Sequence, residues 1–410
     1  MDTIQDTRGD AISVTEFQRR RNDVLKALKG AAAVVFAGEG SPPLLGKWRP
    51  DPHFYYLTGL DSEAGAAVLF DPSAENPKRR IVLFLRPLNI EKERWDGYRD
   101  PIGSALKART GFDTIMRSDA LPLALTGAAR RTKQLMCLHT FTVFPAEVSP
   151  DLSMFRKVCE RVATAKIEEN VNLLPSMRAI KSPAELKLMR KAVEITAAGY
   201  AAVAKVIRPK ASEDFVSQTL DQAYRRGGAQ GVAYNNIVGS GISGTVLHYN
   251  DCTGTLEKGD LLVIDSGCAY KNYASDVTRT YPVGGTFSSE QRDVYEVVLA
   301  AQLASIKAAK AGVTFTDVDE AARQVIDKAG YGDAYIHGIG HQLGIQVHDA
   351  APDGPLQPGM VITIEPGIYL PDKKFGVRIE DDILILRRGN ENLTAAIPKT
   401  AADVEASLKD

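Results

Sequence analysis

At 410 residues the chain is longer than one hydrophobic core commonly supports, so two domains are expected. Its 44% hydrophobic and 25% charged residues are those of an ordinary soluble globular protein and exclude pervasive disorder. Fifty basic against fifty-one acidic residues leave a net charge of -1, which excludes the broad positive field that nucleic-acid or anionic-membrane binding relies on, so neither partner is expected.

The N-terminal MDTIQDTRGD is polar and lacks the basic start and apolar run of a signal peptide. No stretch approaches the roughly eighteen consecutive apolar residues of a membrane span. A cytoplasmic address is the expectation. Farther on, AAAVVF, AAVLF and RIVLFL are short apolar runs between turn residues and read as buried strands, separated by stretches compatible with helices. Residues 1–174 are therefore expected to form an α/β domain, and residues 175–410 a second domain.

Near the boundary, Ser182-Pro183-Ala184-Glu185 carries an N-cap, a proline at the first helical position and the reciprocal Glu of a capping box. A long helix is predicted from there to about Ile207. Ser288 to Gln291 and Thr316 to Asp319 are two further cap-like starts. Between and after them, LLVIDSG, DVTRTYPV, MVITIEPGIYL and VRIEDDILIL read as strands from their alternation and β-branched content. Cys137, Cys159, Cys252 and Cys268 are dispersed without a CxxC pair, so neither a disulfide framework nor a thiolate zinc site is predicted.

The strands of the second domain carry acids where hydration would be lost. Asp265 ends an apolar strand, Asp276 follows eleven residues later, one hairpin away, and Glu365 and Glu380 lie in VITIEPG and VRIEDD. Buried charge without a partner is expensive, and few basic residues are near in sequence. Two divalent cations would balance four such acids, and bridging carboxylates hold such a pair about 3.5–4 Å apart. HGIGH offers His337 and His341, with His348 close behind. The glycines at 338 and 340 argue against a regular helix presenting the first two together.

IDSGCAYKNYASDVTRTYPV, IHGIGHQLGIQVHD, ITIEPGIYL and VRIEDDILI, in this order, resemble the successive motifs of the methionine aminopeptidase, prolidase and aminopeptidase P superfamily. FYYLTGLDSEAGAAVLFDP is similar, more loosely, to the N-terminal domain of prolidase and aminopeptidase P. The resemblance implies a pita-bread catalytic fold preceded by a smaller α/β domain. It implies that Asp265 chelates one metal, that Asp276 and Glu380 bridge two, and that His341 and Glu365 bind the second, with a bridging hydroxide as nucleophile and Glu365 as proton shuttle. His348 would stabilise the tetrahedral intermediate while His248 and His337 position substrate. Arg378 would orient Glu380 or contact substrate, and Tyr369 and Trp95 would stand on the substrate side. The hard-oxygen set with one imidazole suits Mn²⁺ and admits Co²⁺ or Zn²⁺.

Methionine aminopeptidases usually lack so large an N-terminal domain, and creatinase-like or non-enzymatic relatives have generally lost metal ligands that this chain retains. The expected activity is therefore cleavage of the Xaa-Pro bond. Prolidases carry an arginine between the His and Glu motifs for the dipeptide's carboxylate, yet no Arg or Lys occurs from His348 through Glu365. The compact connections still lean toward an Xaa-Pro dipeptidase. Aminopeptidase P, acting on longer peptides, is the alternative, and a non-catalytic pita-bread binding protein is the remaining one. The family resemblance also implies a homodimer.

Overall fold

The computed structural model describes residues 11–39, 48–139 and 147–409. They fall into two compact units, residues 11–177 and the residues from Arg178 onward. The division expected at 174/175 lies inside the short helix Leu173–Ala179.

In the first unit the three apolar runs form strands Ala33–Phe36, Ala67–Phe70 and Ile81–Leu85, antiparallel neighbours in that order, and Thr114–Arg117 joins parallel to the third. Their side chains are buried almost without alternation, as in a sheet covered on both faces. Val34, Leu69 and Phe84 pack with Leu125 of helix Leu121–Thr132 and Phe155 of helix Pro150–Cys159 in one core.

The second unit opens on helix Pro183–Ala204, whose start is the predicted capping box: Ser182 Oγ accepts from Glu185 N–H at 3.3 Å and Glu185 Oε2 accepts from Ser182 N–H at 2.9 Å. The helix ends at Ala204, three residues short of the expected end. Ser288 caps helix Ser289–Ala308 in the same way. The next helix, Phe315–Lys328, begins two residues before the expected start, because Thr314 and Asp317 form the box. Asp319 instead binds Arg323 at 2.6 Å and the Tyr335 hydroxyl at 2.8 Å.

Leu261–Asp265 is the centre of an antiparallel sheet between Thr278–Pro282 and Ile237–Ser240, with Asp265 opposite Thr278. Val361–Ile364 pairs with Asp381–Ile385, and Gly367–Leu370 with Phe375–Arg378. Glu365 and Glu380 therefore lie between strands, each at the point where the chain leaves one pairing for another, and not within a strand as the alternation implied. Their backbones are still fixed: Glu365 N–H donates to Ile339 O at 2.9 Å and Glu380 N–H to Thr278 O at 3.1 Å. Of the cysteines, Cys137, Cys252 and Cys268 are buried, Cys159 is partly exposed, and all four are free thiols. Among the described residues no helix is long and apolar enough to cross a membrane.

Candidate active site

The breaks between strands, the end of Leu261–Asp265 and the HGIGH segment converge on one cavity of about 580 Å³. Its wall includes Asp265, Asp276, His341, Glu365 and Glu380 together with His248, His337, His348, Tyr369 and Arg378. Trp95 stands outside this cluster: it belongs to the unit of residues 11–177, on helix Ile90–Asp96, with 89% of its surface exposed.

HGIGH is irregular, as its glycines predicted, and runs beside Val361–Ile364 through a bridge of Gln342 with Ile362. At Gly340 any side chain would strike the Thr363 carbonyl, with a Cβ only 2.2 Å from its oxygen. This close approach lets Thr363 Oγ1 accept from His341 N–H at 3.0 Å, while Thr363 N–H donates to the His341 carbonyl at 2.9 Å. The imidazole is thereby fixed beside the acids. Its Nε2 stands 3.5 Å from Asp276 Oδ2 and 3.5 Å from Glu365 Oε1, while Nδ1 lies 3.1 Å from the Gln342 carbonyl. A carbonyl only accepts, so Nδ1 carries the proton and the Nε2 lone pair faces the carboxylates.

Asp276, His341 and Glu380 offer ligand atoms that all lie within 4.8 Å of one another. Burial, then the charges of Asp265 and Glu365, hold the Asp276 carboxyl well above the usual carboxylate range. Burial and the neighbouring acids do the same for Glu380. Glu365 is pushed up to about 8, chiefly by burial, with Asp265 adding and Arg378 opposing. Burial, with His348 beside it, pulls His341 down to about 4, leaving it neutral and able to ligate at neutral pH. A site that penalises negative charge this strongly, yet is built from hard oxygen donors and one oriented imidazole, fits divalent cations.

A chain of hydrogen bonds braces these groups. Arg378 Nη2 donates to Asp265 Oδ2 at 2.7 Å, Nη1 to the Tyr369 hydroxyl at 3.0 Å and Nε to Thr278 Oγ1 at 3.1 Å. Thr278 Oγ1 in turn donates to Glu380 Oε2 at 2.6 Å. Arg378 thus touches Asp265 directly and Glu380 only through Thr278. The Tyr369 hydroxyl lies 2.9 Å from His337 Nε2, whose Nδ1 faces the Gly338 carbonyl at 2.8 Å; by the same reasoning Nδ1 carries the proton and Nε2 accepts from Tyr369. His348 stacks on His341, ring centres 3.8 Å apart, and His248 reaches the wall from an exposed loop.

Two further contributors lie outside the set of residues that the sequence motifs single out. The Tyr234 hydroxyl lies within hydrogen-bond reach of both Asp265 and Asp276, and Thr278 relays Arg378 to Glu380. Thr278 could have been found, since it shares the period-two face with Asp276; nothing near Tyr234 marks it.

A two-unit protein whose second unit gathers four acids and four histidines around one cavity has the make-up of a metallohydrolase. The description of metallopeptidase family M24 matches residues 187–387, and that of the aminopeptidase P N-terminal domain matches residues 17–136. The chain is 32% identical to the Xaa-Pro aminopeptidase of Escherichia coli K12 over 97% of its own length and 98% of that protein. It is 39% identical to the Xaa-Pro dipeptidase of Pyrococcus horikoshii over 84% of its length and 90% of that protein. The structure of Pseudomonas aeruginosa aminopeptidase PepP superposes with a TM-score of 0.87 at 30% identity, covering 97% of this chain and 98% of that one. The chain belongs to metallopeptidase family M24, in the branch with an N-terminal α/β domain ahead of a pita-bread catalytic domain, and it is a peptidase.

Proposed function

We propose that the protein is an Xaa-Pro aminopeptidase that removes the first residue from peptides with proline second, with residues 1–174 as N-terminal domain and 175–410 as catalytic domain. Full-length similarity to the Escherichia coli aminopeptidase supports this reading. The observation that carries it over the dipeptidase reading is the wall of the cavity. Arg378 is the sole Lys or Arg among its described lining residues, and its guanidinium is engaged by Asp265, Tyr369 and Thr278. A dipeptide's prolyl carboxylate would find no free cation there, whereas a longer peptide carries a neutral amide at that position.

In this reading Asp265, Asp276, His341, Glu365 and Glu380 hold two divalent ions, Mn²⁺ being the first choice. Bound there, such ions supply Lewis acidity and make a nucleophilic water available near neutral pH. Glu365 takes the proton released by the attacking water and delivers it to the proline nitrogen, which must be protonated to leave as an amine. His348 donates to the carbonyl oxygen as negative charge develops on it. His248 and His337 orient the peptide, Tyr369 holds the His337 tautomer, and Arg378 keeps Asp265 in place. Trp95 remains a substrate-side candidate from the first unit, and a homodimer remains the proposed assembly.

The second reading, an Xaa-Pro dipeptidase, is favoured by the higher identity to the Pyrococcus horikoshii enzyme and by the short stretch from His348 to Glu365. Assaying Ala-Pro, Gly-Pro and Ala-Pro-Ala side by side with Mn²⁺ separates the two. Higher kcat/KM on the tripeptide is expected, and cleavage confined to the dipeptides would overturn the aminopeptidase assignment.

A further inference from the structure

His248, Leu247 and Asn250 reach the cavity from a stretch that follows strand Ile237–Ser240, opens on the short 3-10 helix Gly241–Thr245 and ends at Gly254. Such a stretch has many conformations available, and ordering it has an entropic cost that some fixed contact must offset. One side chain grips both of its ends. Glu213, the first residue of helix Glu213–Arg226, is fully buried and lies outside the cavity wall. Its Oε1 accepts from Ser240 N–H at 2.7 Å and from Ser240 Oγ at 3.1 Å, at the start of the stretch. Its Oε2 accepts from Gly254 N–H at 2.7 Å, at the end, and from the hydroxyl of Tyr249, the neighbour of His248, at 3.0 Å.

Four donors on its two oxygens offset the cost of burying this side chain. The backbone adds to the clasp: Glu213 N–H donates to Gly254 O at 3.0 Å, and Ser212 bridges to Thr255. Gly254 is required by this approach, since a Cβ there would sit 2.7 Å from Glu213 Oε1. The Tyr249 hydroxyl accepts in turn from Thr253 N–H at 3.2 Å, so the grip passes from the carboxylate into the middle of the loop.

We infer that Glu213 is a positioning residue: its buried carboxylate closes the loop between Ser240 and Gly254 and so sets Leu247, His248 and Asn250 in the wall that receives the peptide. This inference rests on the cavity being the peptidase site. Glu213→Gln keeps the shape but presents hydrogens where acceptors are needed, opening at least one end of the clasp. Tyr249→Phe removes only the contact beside His248 and is the milder companion should Glu213→Gln fail to fold.

The test is a double-mutant cycle with His248→Ala on the Mn²⁺-loaded full chain, assayed on Ala-Pro-Ala, with melting temperature and metal content recorded for each variant. In the wild-type background Glu213→Gln is expected to lower kcat/KM about tenfold or more, mainly through KM, and Tyr249→Phe to act in the same direction more weakly. In the His248→Ala background the same changes should cost less than about threefold, because the group they position is gone. Equal losses in both backgrounds, or unchanged kcat/KM in the wild-type background, would overturn the inference. Absence of any Xaa-Pro turnover in the wild type would instead overturn the functional reading on which it rests.

Discussion

Glu380 and Asp381 are consecutive, both buried, and treated in opposite ways. Asp381 faces Arg279 at 2.7 Å and Lys399 at 2.6 Å, and it accepts further hydrogen bonds from Gln302, Asn392 and Thr394. Burial alone would raise its carboxyl, but Arg279 and Lys399 outweigh that and hold it well below the usual range. Glu380 faces the cavity, where its neighbours are other acids, and is driven well above that range. The difference teaches how to tell a structural acid from a ligand. A carboxylate that the fold intends to keep as part of itself is supplied with internal cations, whereas one left among like charges awaits a cation from outside.

That contrast can be broken by substitution. Asp381→Asn leaves the buried Arg279 and the partly exposed Lys399 without their counterion, and the expected loss is about 3–5 kcal/mol in denaturant unfolding. Asp276→Asn, made in chelator-treated protein, removes a carboxylate already opposed by its neighbours, so the unfolding midpoint should stay or rise. Equal destabilisation by the two would show that both acids are structural.

A smaller effect sharpens the same comparison in the other unit. Asp151, fully buried, accepts from Leu138 and His139 N–H and faces His139 Nδ1 at 3.2 Å, a contact whose geometry makes it an ion pair more than an aligned hydrogen bond. Burial pulls His139 down, but Asp151 and Asp51 prevail and push it up to about 9, while Asp151, raised by burial, falls to about 2 through His139. The raised His139 contributes stability that is full below about pH 6.5, its unfolded value, and lost as pH rises through about 9. The depressed Asp151 contributes stability present above about pH 3.9 and lost as pH falls through about 2. His139→Gln should therefore flatten the alkaline decline of the melting temperature between about pH 6.5 and 9. An unchanged decline would remove the pair from this class.

Much of the site was legible in the sequence because its acids interrupt strongly apolar strands, an arrangement that chain-local physics cannot justify. Asp265 is the clearest case, ending LLVID with nothing beside it in sequence to neutralise it. The positions of Glu365 and Glu380 between strands were not legible, because alternation continues across both breaks and only the pairing partners, set by tertiary contact, reveal the switch. Thr314 and Thr316 each stand three residues before an Asp, so the helix start was ambiguous locally; Arg323 and Tyr335 resolve it by engaging Asp319. Tyr234 was beyond reach, since it meets Asp265 and Asp276 across 31 and 42 residues and lies in no periodic segment. Trp95 was selected by resemblance alone, and its contact with substrate stays a proposal.

If the carboxylates and His341 form a cation site, cleavage depends on the metal it holds. Elemental analysis of wild type and His341→Ala, each stripped with chelator, titrated with Mn²⁺ and assayed on Ala-Pro-Ala, tests it most directly. Turnover in the wild type is expected to rise in step with bound metal, and His341→Ala to bind less and turn over far more slowly. Full turnover by metal-free wild type, or by His341→Ala at undiminished speed and metal content, would contradict it.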